Sequence, residues 1–157
     1  MDGSGPGEAH APAGTAYYTY ARKIMATGGG EEFERYFSYF DRFNRVLRTV
    51  RFDLQNKAVY TDSRYNEAGR TGEVSQPYFF DAEPEYWTGY TYDPTGELIR
   101  QSTPVSAVST YREGRTTRTV DEGRQRTTTR SVNAAGLPVS VLDESGELTY
   151  RYYSSGL

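Results

Sequence analysis

Tyr92-Asp93-Pro94-Thr95-Gly96-Glu97-Leu98 and Leu142-Asp143-Glu144-Ser145-Gly146-Glu147-Leu148 are two copies of one phrase. It runs from an aromatic or apolar residue to Asp or Asn, then two variable residues, then Gly. Tyr65-Asn66-Glu67-Ala68-Gly69-Arg70 and Val132-Asn133-Ala134-Ala135-Gly136-Leu137 repeat it, and looser copies begin at Phe40 and Tyr152. The Asp or Asn side chain accepts a hydrogen bond from backbone about two residues on, and Gly three positions later supplies the left-handed conformation that closes the turn. A type I turn followed by a glycine bulge has this chemistry, and it joins antiparallel strands with the right twist. Asn44 stands in place of Gly in the Phe40 copy, as the next most tolerant residue at positive φ. Recurrence of the phrase says how the whole chain is built: as successive hairpins.

The spacing agrees. Val132, Leu142 and Tyr152 lie ten residues apart, room for one strand and one turn each. Tyr86, Thr88, Tyr90 and Tyr92 alternate with Trp87, Gly89 and Thr91, as the two faces of a strand do. Strands are expected at Ala16 to Met25, Val46 to Phe52, Lys57 to Tyr65, Arg70 to Pro77, Trp87 to Tyr92 and Glu97 to Gln101. Gly28-Gly29-Gly30 breaks the first of them, and Asp53 to Asn56 is a turn. Glu31 to Tyr39 carries both helical and strand spacing, and the turn phrase at Phe40 favours a strand as its incoming arm. Tyr78 to Pro84 reads as an aromatic loop and Pro104 to Ser109 as an irregular link. Tyr111 to Val120 pairs with Arg124 to Val132 across Asp121-Glu122-Gly123. No βαβ alternation occurs, so the class is an all-β antiparallel meander.

Composition bounds what such a sheet can do. Only 36% of the 157 residues are hydrophobic, a count that includes 15 Tyr, and mean hydropathy is −0.78. A domain this long would bury roughly 68 to 70% of its unfolded surface. With so few aliphatics, one wet face is expected and the array needs neighbours. A net charge of −3 makes no general case for nucleic acid or an anionic membrane. Without Cys there is no disulfide, thiol nucleophile or zinc-thiolate site. No apolar run suits a membrane span, and no secretory signal opens the chain. Residues 1–15, rich in Gly, Ala and Pro, read as a flexible leader, with the repeat array over 16–157.

With the hairpins placed, the chain resembles the Rhs or YD-repeat family, which includes bacterial polymorphic toxins, the B and C subunits of insecticidal toxin complexes and teneurins. The resemblance covers roughly residues 17 to 157. Val59-Tyr60-Thr61-Asp62-Ser63-Arg64-Tyr65-Asn66-Glu67-Ala68-Gly69-Arg70, then Ser75-Gln76-Pro77-Tyr78-Phe79-Phe80 and Tyr86-Trp87-Thr88-Gly89-Tyr90-Thr91-Tyr92-Asp93, look like the toxin-complex branch. Asn66, Asn133 and Tyr153 depart from the signature Asp, and Asn44 from Gly. The resemblance implies a curved open sheet, one segment of a spiral β-shell around a toxin domain. It also implies a secreted or cell-surface destination after a cytoplasmic stage. Neighbouring repeats and an enclosed domain would be the partners, and the last copy stops at Gly156-Leu157, as in a fragment of a longer shell. The self-cleaving core and toxic domain of the family have no match here, so neither activity carries over.

Residue by residue, no catalytic set, cofactor or metal site is expected, and the chain is read as a non-enzyme. His10 is the only histidine, and one imidazole in a leader cannot build a triad or a usual zinc site. The carboxylates Asp121-Glu122, Asp143-Glu144 and Glu83 to Glu85 sit in turns with structural work to do, and Asp53 and Asp62 are no better placed for acid–base chemistry. Gly28-Gly29-Gly30 lacks the Lys-Ser or Lys-Thr of a phosphate loop. Arg112, Arg115, Arg118, Arg124, Arg126 and Arg130 read as a solvated or cavity-facing strand surface, with polyanion binding as the alternative. Tyr78, Phe79, Phe80, Tyr86 and Trp87 form the one candidate contact surface. Their rings either stack on a sugar or partner, or anchor the long loop to the sheet. Of these Tyr78, Phe79, Tyr86 and Trp87 are the chosen contacts, and a carbohydrate-binding or adhesion module is the alternative to the shell.

Overall fold

A computed structural model describes residues 8–27 and 30–153, and within them the protein is all-β. Its strands are β1 (Tyr17–Thr27), β2 (Gly30–Phe40), β3 (Val46–Phe52), β4 (Ala58–Tyr65), β5 (Thr71–Ser75), β6 (Tyr78–Phe79), β7 (Trp87–Tyr92), β8 (Leu98–Ser102), β9 (Ala107–Glu113), β10 (Thr116–Asp121), β11 (Arg126–Val132), β12 (Pro138–Asp143) and β13 (Gly146–Thr149). They form an antiparallel meander in chain order, except that β6 leaves the path to pair with β4. No α-helix occurs among the described residues. The ambiguous stretch before Phe40 is strand, as expected. The chain divides into two compact units, residues 1–88 and residues 89–157.

Four copies of the turn phrase fold the same way, and the Asp53 to Asn56 turn proves to be a fifth. At Asp41, Asp53, Asn66, Asp93 and Asn133 the carbonyl accepts the N–H three residues on, at 2.9 to 3.1 Å, and the N–H donates to the carbonyl four residues on. The side chain repeats the pattern: Asp53 Oδ1 accepts from the N–H groups of Gln55 and Lys57, and Asn133 Oδ1 from those of Ala135 and Leu137. The closing residue has positive φ in every copy, Asn44 and Asn56 at 62°, Gly69 at 77°, Gly96 at 94° and Gly136 at 79°. In four copies a second irregularity follows, a register shift that leaves Leu47, Gly72, Ile99 or Val139 without a cross-strand partner on the hairpin's first arm. The Asp53 copy keeps plain register, with Phe52 opposite Ala58 and Arg51 opposite Val59.

Register builds the core of the first unit. Tyr20 lies opposite Phe37, Phe37 opposite Val50, Val50 opposite Tyr60, and Tyr60 opposite Tyr78, so one row of bulky residues crosses five strands on a single face. Phe37, Tyr39, Val50, Ala58 and Tyr60 are buried there, with Phe52 and Tyr78 packed against them. Rings supply the apolar area that aliphatics do not, at separations suited to tilted and edge contacts, such as 4.9 Å for Tyr20–Phe37 and 5.6 Å for Tyr60–Tyr78. Burial pushes the Tyr39 hydroxyl up to about 12, with help from Tyr60 and Tyr18.

Four expectations change. The assumed leader is in part packed on the sheet: the His10 ring lies against Phe37, Phe52 and Tyr60, and just after it the Ala16 N–H donates to the Phe40 carbonyl at 2.7 Å, while residues 1–7 lie outside the described set. Tyr78-Phe79, read as loop, pairs with Tyr60 and Val59 of β4. The strand expected over Tyr111 to Val120 is two, β9 and β10, because Gly114 turns the chain at φ 57°. Asp143 opens a tighter hairpin than its phrase implies, pairing directly with Gly146. Of the Gly28-Gly29-Gly30 break, Gly30 opens β2 and the other two lie outside the described residues, as do residues 154–157 of the last copy. Among the described residues of the second unit only Ala107 and Ser109 are buried, and Leu98, Val105, Tyr111, Leu142 and Leu148 are exposed.

Candidate functional site

Alternation along β6 divides the proposed aromatic contacts. Tyr78 faces inward beside Tyr60, and Phe79 faces outward, where the Lys57 ammonium lies 4.5 Å from its ring centre and 3.0 Å from Asp81. Tyr86 is exposed, and its hydroxyl is bonded to Glu85, which pushes its pKa up. Trp87 is half-buried beneath the Arg64 guanidinium, 3.9 Å from the ring centre, and Arg64 is also paired with Glu73 at 3.1 Å. Tyr78, Phe80 and Trp87 converge on one cleft of about 610 Å³ in the first unit, and Phe79 and Tyr86 are not among its lining residues.

The floor of the cleft is a charged network that the sequence reading passed over. Arg48 and Asp62 lie directly opposite each other on β3 and β4, on the same face as Val50 and Tyr60. Arg48 donates from Nε to Asp62 Oδ1 at 2.6 Å and from Nη2 to Oδ2 at 2.7 Å, a two-point pairing that suits a guanidinium and a carboxylate. Tyr78 donates its hydroxyl proton to Asp62 Oδ2 at 2.6 Å and accepts from Arg48 Nη2 at 3.0 Å. Burial first, then the bond to Asp62, pushes the Tyr78 hydroxyl far above the usual tyrosine range. No buried side-chain nitrogen or oxygen among the described residues lacks a partner. The sequence shows Asp62 two places after Tyr60 and Arg48 two before Val50, but only the register of β3 against β4 brings the two together.

His10 sits at one end of this network. Its Nδ1 is 2.6 Å from the Tyr60 hydroxyl, and its ring packs against Phe37, Phe52 and Tyr60 at centroid distances of 5.7 to 6.4 Å. Burial and then the Arg48 charge lower its pKa. Pro12 and Ala13, just beyond, form part of the cleft wall.

The arrangement can stack a flat or ring-shaped molecule against Tyr65, Phe80 and Trp87 and bond it through Ser63, Glu83 and the outer edges of Arg45 and Arg64. No group of three or more His, Cys, Asp or Glu is gathered for a metal ion among the described residues. Three of the arginines read as one strand surface pair with carboxylates, Arg112 at 2.7 Å from Glu97, Arg126 at 2.6 Å from Asp143 and Arg124 at 3.8 Å from Asp121, and Arg118 lies over the Tyr111 ring. Of the turn carboxylates, Asp121 and Asp143 accept the backbone N–H groups of Arg124 and Ser145 at 3.0 and 2.8 Å, whereas Glu122 pairs with Arg100. No helix among the described residues is long and apolar enough to cross a membrane. Neither the known protein families nor the curated proteins contain a match to this sequence.

Proposed function

We propose that this chain is a non-catalytic wall segment of an Rhs or YD-repeat shell, whose work is to extend a sheet that encloses or presents a toxin domain at or beyond the cell surface. The recurrence of one five-residue turn along an antiparallel meander carries this reading, because a unit that is copied serves to lengthen an array. The thin core of the second unit supports it, since a wall inside a larger assembly gains burial from its neighbours. Reading the coding sequence on both sides of this chain tests it. Further copies of the phrase followed by an unrelated terminal domain are expected, and flanks without either would remove the proposal's basis.

The cleft beside Trp87 favours a second reading, a carbohydrate-binding surface. Pockets of roughly 300 to 1,000 Å³ with a few convergent polar groups suit small ligands, and sugars stack on exposed rings. A glycan array run with the protein and its Trp87→Ala variant separates the two. Specific binding that the substitution abolishes would establish the second reading over a purely structural role.

A further inference from the structure

We infer that residues 8–16 are a strap pinned by His10 that walls one side of the cleft when the imidazole is neutral and detaches from the aromatic face when it is protonated. Three observations carry this. The strap is held at few points: the His10 ring among Phe37, Phe52 and Tyr60 with its Nδ1 2.6 Å from the Tyr60 hydroxyl, the Ala16 N–H on the Phe40 carbonyl, and the His10 carbonyl, which accepts from Arg48 Nη1 at 3.3 Å. Pro12 and Ala13 lie between these points and line the cleft with Tyr60, Tyr78 and Trp87. The ring is packed among aromatic side chains with the Arg48 charge acting on it, a setting that favours the neutral imidazole.

Each element packed there contributes to that last point. From β3 comes the Arg48 guanidinium, 4.3 Å from the centre of the Tyr60 ring that His10 contacts. Arg35 of β2 lies 4.4 Å from the centre of the Phe52 ring, which also touches His10. From β4 and β6 come the hydroxyls of Tyr60 and Tyr78, both held protonated by burial. Asp62 is the nearest carboxylate of the network, and its two oxygens already accept from Arg48 and Tyr78. Glu83 lies on the cleft lining, beside Tyr78. An imidazolium at this position would be desolvated and would face the Arg48 guanidinium, so protonation opposes docking.

The sign follows from the lowered pKa of the docked ring. Docking is complete above the ordinary value of 6.5 and is lost as pH falls through the folded-state value. It weakens by about tenfold for each unit of lowering. The chain carries one histidine and one tryptophan, so both ends of the device can be read separately. In the full chain, proton NMR of the imidazole should give a pKa below the ordinary one. Amide exchange at Ala16, corrected for intrinsic rate, should accelerate as pH falls from about 7.5 to about 5. Acrylamide quenching of Trp87 should rise with the same midpoint. His10→Phe keeps a ring for the aromatic contacts and removes the titration, and the pH step should vanish from both readouts. A step that persists in His10→Phe, or an Ala16 amide indifferent to pH in the unsubstituted chain, would overturn the strap. Quenching of Trp87 that ignores the Ala16 step would overturn its role as a cleft wall.

Discussion

Tyr78 shows how one hydroxyl joins two charges. It donates a hydrogen bond to Asp62 and accepts one from Arg48, so Tyr78→Phe removes a donor and an acceptor while keeping the ring in the Tyr60 row. Hydrogen bonds to charged groups contribute about 1.5 to 3 kcal/mol, and the half-buried setting places the expected loss near the lower figure. Urea unfolding of the variant checks this, and an unchanged midpoint would mean that the network adds no stability. Tyr39 gives a second expectation. Its folded-state pKa is raised from 10.0 to about 12, so its contribution is complete below pH 10 and lost as pH climbs toward 12. Stability measured across that interval should fall less steeply in Tyr39→Phe than in the unsubstituted chain.

The hairpin is the element in which sequence and structure agree most closely, because its signal is local. Asp93 and Asn133 make the same bonds to the second arm of their turns, yet only one of them titrates. The Thr95 hydroxyl and then the Glu97 N–H hold the Asp93 carboxyl below its ordinary 3.8, so this turn's contribution is present above that value and lost as pH falls through the folded one. The Glu97 amide should therefore lose exchange protection in acid and the Leu137 amide should keep it. Asp93→Asn should make Glu97 behave as Leu137 does; continued acid sensitivity there would place its cause elsewhere. The division of Tyr111 to Val120 was less legible, since Glu113-Gly114-Arg115 lacks the Asp or Asn that marks the other turns and its residues suit a strand equally well. The pairing of β6 with β4 is a contact between residues 59–60 and 78–79, distant in sequence and invisible to a local phrase. The cleft was half legible for the same reason: Tyr78 and Trp87 stand out by type, whereas Arg48 and Asp62 acquire meaning only when register places them face to face.

At the scale of the whole molecule, the two units differ in how much they bury. The first gathers five buried hydrophobic side chains into one cluster, and the second buries Ala107 and leaves Leu98, Leu142, Leu148 and Tyr153 exposed. β13 is the last strand of the order and, among the described residues, pairs along one side only, so its other side is an edge that can pair with another chain. The isolated protein should therefore self-associate or unfold with low cooperativity, which sedimentation over a range of concentrations and thermal unfolding would measure. A monodisperse monomer with a sharp, high melting transition would contradict this.

The unpaired residues Leu47, Gly72, Ile99 and Val139 bear on how such a gene can change length. In an ordinary ladder the loss of one codon turns every later side chain of that strand to the opposite face. Removal of Ile99 would not do so, because Leu98 would still face Tyr92 and Arg100 would still face Thr91. Each bulge is thus a place where the reading of inside and outside survives a single-residue deletion, and a chain lacking Ile99 should keep the strand pairs of its parent by NMR. Removal of Thr91 instead should scramble them, so the array carries its own tolerance for drift in repeat length at four defined positions.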